Sequence, residues 1–372
     1  MIYLDNAATT KNKPQEVYSA INYYLQEIGV SPGRGSYSLG IEASRMLYKS
    51  RVTLGNYFGM TEPDRVLFTK NSTEAINLFF NGFLKKGDHV IISCYEHNAV
   101  LRPLQTLKDS KIIDYSVIKR DDLLSSPEEI YQKYAKPNTK LLAITLASNL
   151  TGRIIFNEEL FSFFKQKGIT TFLDASQGAG KISLNMREDS IDYLAFTGHK
   201  DLLGIPGVGG LCCEAKEKIS PLIQGGTGIH GEEYTNPDIF PEGYEAGTLN
   251  MPAIWALKTG VEYLLNSGAE LVKQEHQLME LLVEGLKLIP GITVFDFGYK
   301  RVPTCCFIKQ DQSSDKTIQM LDREGICARG GIHCAILAHE AIGTVNTGAV
   351  RISIGFGNTE NDIKEVLRIL SR

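Results

Sequence analysis

One lysine of this chain lies where a reactive amine would be useful. Lys200 follows an apolar run at 193–196 and a short turn at 197–199, so its side chain should emerge at the carboxyl end of a strand. Open α/β sheets bind their ligands at that edge. A lysine buried there near other charges has a lowered pKa, which suits the formation of a Schiff base. Spacing alone also allows the alternative, an exposed lysine after a strand.

Two further strand ends supply groups that would complement such a lysine. The residues at 71–74 follow a strand at 66–69 and open a helix, where N–H groups and the hydroxyls of Ser72 and Thr73 could cradle a phosphate. The same residues also suit an ordinary helix cap. Asp174 ends another strand, where a carboxylate could keep a pyridine nitrogen protonated. Together these groups indicate pyridoxal 5'-phosphate as the cofactor.

Two more side chains could contribute to such a site, one by stacking on a ring and one by binding a carboxylate. His97 follows a strand at 90–93 and could lie flat on the pyridine ring, although a histidine at a helix start is the simpler alternative. Arg351 lies in an apolar run at 349–354. A guanidinium binds both oxygens of a carboxylate at once. Because an arginine in an apolar strand is rarely structural without a partner, we interpret Arg351 as a carboxylate-binding residue.

The elements that must position these residues follow an alternating pattern. Helices are predicted between strands, at 74–83, 98–107 and 158–166. The strands are predicted at 66–69, 90–93, 112–117, 141–147, 170–174, 193–197 and 208–213. Runs that are apolar throughout indicate strands covered on both faces, and hence a mainly parallel sheet with helical crossovers. The pattern therefore predicts an α/β fold with a seven-stranded sheet.

The pattern changes towards the C-terminus, where a smaller α+β domain is expected. A long amphipathic helix is predicted at 270–288, followed by a break at 290–291 and then by further strands and helices. The Gly-, Asn- and Pro-rich stretch 225–248 has little periodicity, and a loop of this length is usually functional. The expected domains are a large one, 15–260, and a small one, 1–14 with 261–372.

Composition excludes several classes of function. The 372 residues carry a net charge of −4, so neither a nucleic-acid surface nor a membrane surface is expected. The N-terminus lacks a signal-peptide pattern and no apolar run is long enough to span a membrane, so a cytoplasmic address is expected. The seven cysteines show no C-x-x-C spacing and the seven histidines no H-E-x-x-H spacing. No disulfide framework and no metal site are therefore predicted.

Eight short motifs, taken in order, resemble those of the class V pyridoxal-phosphate enzymes of aspartate-aminotransferase fold (fold type I), and within them the cysteine desulfurases. The motifs are 4–10 (LDNAATT), 72–75 (STEA), 96–98 (EHN), 148–152 (SNLTG), 174–177 (DASQ), 197–200 (TGHK), 245–248 (EAGT) and 329–335 (RGGIHCA). Each is weak alone, whereas the ordered set is specific. The resemblance covers essentially the whole chain.

The resemblance implies a role for individual residues of these motifs. The residues that would hold the cofactor are Lys200 (Schiff base), Asp174 (pyridine nitrogen), Gln177 (ring hydroxyl), His97 (stacked on the ring), Ser72, Thr73, Thr197 and His199 (phosphate), Asn149, and Thr248, which would reach in from the other subunit of a homodimer. The residues that would bind the substrate are Arg351, for its carboxylate, with Asn149 and Arg329.

The cofactor alone does not determine which reaction is catalysed. One cysteine, Cys334, distinguishes a desulfurase from the other class V enzymes. Cys334 lies in a Gly-rich stretch near His333 and Arg329, where positive charge could stabilise a thiolate. The other six cysteines lie in apolar strands or lack a catalytic context. The resemblance implies that Cys334 is the catalytic nucleophile on a loop of the small domain. L-cysteine would then become L-alanine, with the sulfur held as a persulfide on Cys334 and passed to an acceptor protein.

The spacing around Cys334 resembles one subgroup of these enzymes. Cys334 lies 17 positions before Arg351 (351 minus 334), as in the group II, SufS-like desulfurases with a short cysteine loop. Tyr37 stands where the well-known group II enzymes have a histidine near the persulfide, and 335–343 also differs, so the resemblance is to a divergent branch. The alternatives are a class V aminotransferase, a lyase acting on selenocysteine or another β-substituted alanine, and a sulfur-carrier or scaffold protein without catalysis.

Overall fold

The computed structural model describes residues 1–33 and 35–372. The strands within these residues are β1 (Ile2–Tyr3), β2 (Val66–Thr69), β3 (Asp88–Ser93), β4 (Ile113–Ile118), β5 (Thr139–Thr145), β6 (Thr170–Asp174), β7 (Tyr193–Thr197), β8 (Gly209–Cys213), β9 (Ile292–Val294), β10 (Thr304–Lys309), β11 (Ile326–Cys327), β12 (Arg329–Gly331) and β13 (Ala349–Ser353). The helices are α1 (Gln15–Tyr23), α2 (Ser38–Tyr57), α3 (Ser72–Phe83), α4 (Asn98–Asp109), α5 (Pro127–Tyr134), α6 (Glu158–Gln166), α7 (Met251–Lys287), α8 (Ser314–Arg323), α9 (Ile336–Ile342) and α10 (Glu360–Leu370).

A seven-stranded sheet forms the centre of the molecule, in the order β2-β8-β7-β6-β5-β3-β4. Only β8 runs antiparallel to its neighbours β2 and β7 in this sheet. Successive residues of a strand face opposite sides, so Ile91 packs in one hydrophobic cluster while Val90 and Ile92 pack in another. The predicted α/β class and the mainly parallel seven-stranded sheet are therefore confirmed. All seven predicted strands lie within two residues of the observed bounds.

The prediction for the long helix was wrong at its start. The helix was expected at 270–288, whereas α7 begins at Met251, where Asn250 caps it by accepting from the Ala253 N–H. Glycines interrupt the amphipathic pattern in the first part of this helix, before residue 270. A Cβ on Gly260 would lie 2.4 Å from the Leu202 carbonyl oxygen, so this glycine permits close packing against the segment after Lys200 and does not end the helix.

A smaller assembly of strands and helices follows α7. Strands β12, β13, β10 and β9 form a four-stranded antiparallel sheet in that order. The N-terminal strand β1 pairs in parallel with β11, and Leu4 packs in the same hydrophobic cluster as Ile352 and Val366. These contacts support the proposed small domain, 1–14 with 261–372, while α7 continues through the proposed boundary. Among the described residues, no helix is long and apolar enough to cross a membrane.

Candidate active site

A cavity of about 290 Å³ opens where several parallel strands end. Strands β5, β6 and β7, the first turn of α3 and His97, the residue before α4, contribute to its wall. Nine of the residues predicted to hold a cofactor line it: Ser72, Thr73, His97, Asn149, Asp174, Gln177, Thr197, His199 and Lys200. Thr248, the tenth, lines a neighbouring cavity that also contains Asn71 and His199. The topology therefore brings together motifs that lie far apart in the sequence.

Lys200 is presented to this cavity by the turn that follows β7. Burial lowers the pKa of Lys200 to about 8, and the nearby Asp174 carboxylate opposes this shift. The turn itself is held by the N-terminal segment. The His199 carbonyl oxygen accepts hydrogen bonds from the Thr10 N–H at 3.1 Å and from the Lys13 amine at 3.0 Å. A substantial fraction of the Lys200 amine is thus neutral near pH 8, as a proton-accepting or carbonyl-attacking amine requires.

The start of α3 and the end of β7 form a set of donors suited to a phosphate. Asn71 caps α3 by accepting from the Glu74 N–H at 2.9 Å, while the first N–H groups of the helix have no intrahelical partner. The buried Thr197 Oγ1 and His199 Nδ1 also lack a partner within the described part of the chain. Buried polar atoms without partners are costly, and their convergence beside a helix N-terminus fits an anionic group.

Asp174 offers the partner that a pyridine nitrogen would need. The residue ends β6 and is 1% exposed, and its Oδ1 accepts from the Ser176 N–H at 3.0 Å and from the Ser176 hydroxyl. Burial raises the pKa of Asp174, while the Ser176 hydrogen bonds and the charge of Lys200 oppose that shift. A cation placed against this carboxylate would favour its ionised form. The environment therefore suits a protonated ring nitrogen.

His97 combines both of the roles considered for it. Its Nδ1 accepts from the Ala99 N–H at 3.0 Å, so the imidazole caps α4 and carries its proton on Nε2. Burial, followed by the charge of Lys200, lowers the pKa of His97 to about 4. A neutral imidazole with a fixed tautomer lines the cavity and presents a flat face to any ring bound there. Capping and stacking are thus compatible in one side chain.

Gln177 links the cavity to the N-terminal segment. Its Nε2 donates to the Ala7 carbonyl oxygen at 2.7 Å, and the side chain is 4% exposed. An amine at a strand end, unpaired phosphate donors, a buried carboxylate and a neutral imidazole are all present in one cavity. These residues fit pyridoxal 5'-phosphate. Among the described residues, no group of three or more His, Cys, Asp or Glu side chains could hold a metal ion.

Arg351, the predicted carboxylate-binding residue, lies on β13 and is 1% exposed. Its NH1 group donates to the Asn149 carbonyl oxygen at 3.0 Å, which places it beside the cavity wall. Its NH2 group also pairs with Asp5 at 2.5 Å, a structural partner that was not predicted from the sequence. Arg329 lies directly opposite Arg351 in the β12–β13 pairing. The two predicted substrate-binding arginines are therefore neighbours.

Cys334 lies in a turn fastened at two points to the rest of the site. Its carbonyl oxygen accepts from the Asn98 N–H at 2.8 Å, and the preceding carbonyl, that of His333, accepts from Asn149 Nδ2 at 2.7 Å. His333 and Cys334 have φ angles of 56° and 55°, a left-handed backbone conformation that is uncommon for residues other than glycine. The Cys334 side chain is exposed.

The remaining cysteines lie elsewhere in the protein. Those in the predicted apolar strands, Cys212, Cys213, Cys305 and Cys306, are fully buried, and Cys94 is also buried. Cys327 on β11 is partly buried. The interpretation of the strand cysteines as core residues is confirmed. Of the seven thiols, only that of Cys334 is exposed.

Several contacts around the site were not predicted from the sequence. Asp5 binds Arg351, although the motif at 4–10 had suggested no role for it. Glu245 forms a buried double ion pair with Arg51 and thereby anchors the end of the predicted functional loop. His339 Nδ1 bonds the Thr344 hydroxyl at 2.7 Å, and its Nε2 lies 3.4 Å from His333 Nδ1. The only sequence signal for such contacts was a charged residue within a mostly apolar motif, as Asp5 is in 4–10.

The fold and the site define a class of protein. The chain matches the family model "Aminotransferase class-V" over residues 2–366 and belongs to that family, whose members use pyridoxal 5'-phosphate. Its similarity to particular proteins is more specific. A "Probable cysteine desulfurase" of Methanothermobacter thermautotrophicus is 31% identical over 373 residues, which cover 98% of this chain and 92% of that protein.

Two further comparisons agree with this similarity. A "Cysteine desulfurase" of Synechococcus elongatus is 29% identical across this whole chain, which spans 60% of the length of that longer protein. The apo structure of a cysteine desulfurase from Thermococcus onnurineus superposes with a TM-score of 0.91 at 28% identity, covering 100% of this chain and 94% of that one. The resemblance inferred from the eight motifs, to class V enzymes and to the desulfurases among them, is confirmed.

Proposed function

We propose that this protein is a pyridoxal-phosphate-dependent cysteine desulfurase. It converts L-cysteine to L-alanine and retains the sulfur as a persulfide on Cys334. The observation that carries the proposal is the position of the exposed Cys334 thiol. Its turn is hydrogen-bonded to Asn98, which follows His97 in the sequence. The same turn is hydrogen-bonded to Asn149, whose carbonyl oxygen accepts from Arg351. An aminotransferase needs the lysine and the cofactor cradle but has no use for an exposed thiol held at this place.

The first part of the reaction concerns binding and proton transfer. Bound at Lys200, pyridoxal phosphate supplies an electron sink for the Cα of an amino acid. Arg351 and Asn149 bind the substrate carboxylate and thereby orient the Cα–H bond towards Lys200. The substrate amine would displace Lys200 from the cofactor, and the freed Lys200 amine, whose pKa burial lowers to about 8, takes the Cα proton and returns it to carbon later in the cycle. His97 stays neutral and would offer the flat face of its imidazole to the cofactor ring.

The second part transfers sulfur. The Cys334 thiolate attacks the substrate sulfur, so an S–S bond forms as the bond between sulfur and Cβ breaks. The electron pair of the broken bond stays with the substrate carbon, which takes up a proton and leaves as alanine. Cys334 then carries the sulfur as a persulfide. An acceptor thiol recovers the sulfur by attack on the outer sulfur atom, which regenerates the Cys334 thiol.

The proposal includes a homodimer and an acceptor protein. Thr248 lies in a cavity that shares His199 with the cofactor site, so a second copy packed there could exchange such residues between subunits. Exposed apolar side chains support an interface on α2 and on the loop near this cavity. They are Leu39, Ile41, Tyr48, Leu222 and Ile223. The acceptor has to approach the face on which Cys334 is exposed.

Incubation of the cofactor-loaded protein with L-cysteine and a reductant tests the proposed function directly. Sulfide and alanine should accumulate in equal amounts. The Cys334→Ala variant should fall to the background of a protein-free reaction for both products, whereas the control Cys327→Ala should not. Cys327 is a fair control because it is a partly buried cysteine seven positions away (334 minus 327). Neither product from the wild type, or full alanine production by Cys334→Ala, would overturn the proposal.

A further inference from the structure

A carboxylate from the N-terminal segment contacts the arginine that would bind the substrate. Oδ1 of Asp5 lies 2.5 Å from the NH2 group of Arg351, and the two side chains are 20% and 1% exposed. The other terminal nitrogen, NH1, donates to the Asn149 carbonyl oxygen at 3.0 Å. The guanidinium is therefore held on two sides before any substrate binds.

The position of Asp5 is itself well defined. The residue bridges Ser353, two positions beyond Arg351 on β13, and the Ser353 N–H donates to the Leu4 carbonyl oxygen at 2.8 Å. On the other side, the Leu4 N–H donates to the Cys327 carbonyl oxygen at 2.8 Å. Backbone pairing thus fixes the carboxylate beside the guanidinium. Asp5 is consequently a rigid partner and not a mobile surface charge.

Arg351 keeps donors for a second carboxylate despite these contacts. A guanidinium has five N–H groups, and the bonds to Asp5 and Asn149 use two of them. The buried Nε atom has no partner within residues 1–33 and 35–372. The unpaired donors are what a substrate carboxylate would require. Asp5 therefore orients Arg351 without filling its binding capacity.

A second positive charge lies next to this pair. Arg329 faces Arg351 directly across β12 and β13, and directly opposed residues have Cβ atoms about 5 Å apart. In the part of the chain that the structure describes, no carboxylate forms an ion pair with Arg329. Burial lowers the pKa of Arg351 and Arg329 acts in the same direction, while Asp5 opposes both. Two arginines and one aspartate leave one net positive charge, which matches one carboxylate.

We propose that Asp5 is a positioning and specificity residue for the substrate. It presents the Arg351 guanidinium in one orientation, and its charge cancels one of two adjacent positive charges. The site consequently prefers amino acids with a single carboxylate and an uncharged side chain over those that carry a second anionic group. This inference rests on the proposed function in one respect, since it takes Arg351 as the residue that binds the substrate carboxylate.

The test compares two ligands that differ in charge. L-alanine and L-aspartate are titrated into the cofactor-loaded protein, and the dissociation constants are measured by calorimetry. Asp5→Asn keeps the shape of the side chain but removes its charge. It should improve the affinity for aspartate relative to alanine by about 10-fold, because an unscreened charge within a few ångströms contributes at least that much. Glu360→Gln, which breaks an exposed ion pair with Lys364 on α10, is the charge-matched control and should leave the ratio unchanged.

A second substitution keeps the test valid if Asp5→Asn disturbs folding. Arg329→Gln removes the other unbalanced charge and should shift the ratio in the opposite direction, against aspartate. The double variant Asp5→Asn with Arg329→Gln should return towards the wild-type ratio. An unchanged ratio in a folded Asp5→Asn variant would overturn the inference, and so would an unchanged ratio in Arg329→Gln or a wild type that binds neither ligand.

Turnover of L-cysteine by the wild type, measured alongside the titrations, distinguishes failure of the proposed function from failure of the role assigned to Asp5. A wild type that makes no alanine refutes the proposed function, whereas the ratio of dissociation constants still reports on Asp5. Normal turnover with an unaltered ratio refutes the role of Asp5 and leaves the desulfurase proposal intact.

Discussion

The backbone N–H of Asn98 donates a hydrogen bond to the carbonyl oxygen of Cys334 at 2.8 Å. Asn98 begins α4 directly after His97, so the helix that presents the cavity-lining imidazole also holds the turn that presents the thiol. This contact joins the large sheet region to the segment after β12. This bond uses backbone atoms only, whereas the second attachment of the turn depends on the side chain of Asn149, which donates to the His333 carbonyl oxygen.

Replacement of Lys200 by alanine should abolish covalent attachment of the cofactor. We expect kcat to fall by about 10²- to 10⁴-fold, because the variant loses its positioned proton acceptor. After reduction with borohydride, mass spectrometry should find pyridoxal phosphate on the peptide that contains Lys200 in the wild type and on no peptide of the variant. The exposed Lys167 provides the control Lys167→Ala. Attachment of the cofactor to another lysine at full activity would contradict the assignment.

Thr197→Val tests the phosphate cradle. The Thr197 hydroxyl is buried without a partner among the described residues, so its loss should leave the stability of the cofactor-free protein unchanged or slightly higher. A hydrogen bond to a charged group contributes about 1.5–3 kcal/mol, so the affinity for pyridoxal phosphate should fall by about 10- to 100-fold. Fluorescence titration of the cofactor-free protein measures this affinity.

The matched control for that variant is Thr171→Val. Thr171 is also fully buried, but it lies at the start of β6 and its hydroxyl donates to the Ser190 carbonyl oxygen at 2.6 Å. This substitution should reduce stability and leave cofactor affinity unchanged. Equal cofactor affinity in Thr197→Val and the wild type would rule out a role for Thr197 in holding the phosphate.

His97 should show its two roles separately in two variants. Asparagine is a good helix cap, so His97→Asn should retain the cap of α4 and stay within about 0.5 kcal/mol of wild-type stability. His97→Ala should lose about 1 kcal/mol because the cap is lost. Both variants lack the ring and should lose activity to a similar extent. Retained activity in His97→Asn would show that capping is the only function of this residue.

Glu96 predicts a dependence of stability on pH. Burial raises the pKa of Glu96 to about 8, while its bonds from Ser93 and from the Thr145 N–H oppose the shift. Between its usual pKa of 4.5 and about 8 the folded protein keeps this proton and the unfolded chain releases it. The free energy of unfolding therefore falls as the pH rises through this window, by up to about 1.4 kcal/mol per pH unit.

Glu96→Gln should remove this contribution, because the amide oxygen can accept the same two bonds without a titrating proton. The difference in melting temperature between variant and wild type should grow from about pH 5 to about pH 8 in favour of the variant. Differential scanning calorimetry across that range measures it. A difference that is constant with pH would show that Glu96 does not carry the proton in the folded protein.

The sequence predicted the strands well for a physical reason. Strands covered on both faces are apolar throughout, so β6 and β7 were recognisable at both ends. The direction of β8 was not predictable, because the same apolar run suits either orientation. The start of α7 was missed because Gly260 is a site of close packing, which local pattern cannot distinguish from a helix stop.

The candidate site was predictable only in part. Lys200 and Asp174 stand at strand ends, and the topology of an α/β sheet brings such residues together. The pairing of Asp5 with Arg351 joins positions 346 residues apart, and no local signal announces it. The same holds for Lys13 on the His199 carbonyl oxygen. The identity of the thiol came from family resemblance more than from physics, since a lone cysteine has no distinctive spacing.

Capture of sulfur on Cys334 is the central claim, and a single turnover tests it most directly. The cofactor-loaded protein is mixed with one equivalent of L-cysteine in the absence of reductant, then digested and examined by mass spectrometry while alanine is quantified. We predict that the peptide containing Cys334 gains one sulfur atom for each alanine formed, and that the peptide containing Cys327 gains none. Alanine released without added sulfur on Cys334 would contradict this account.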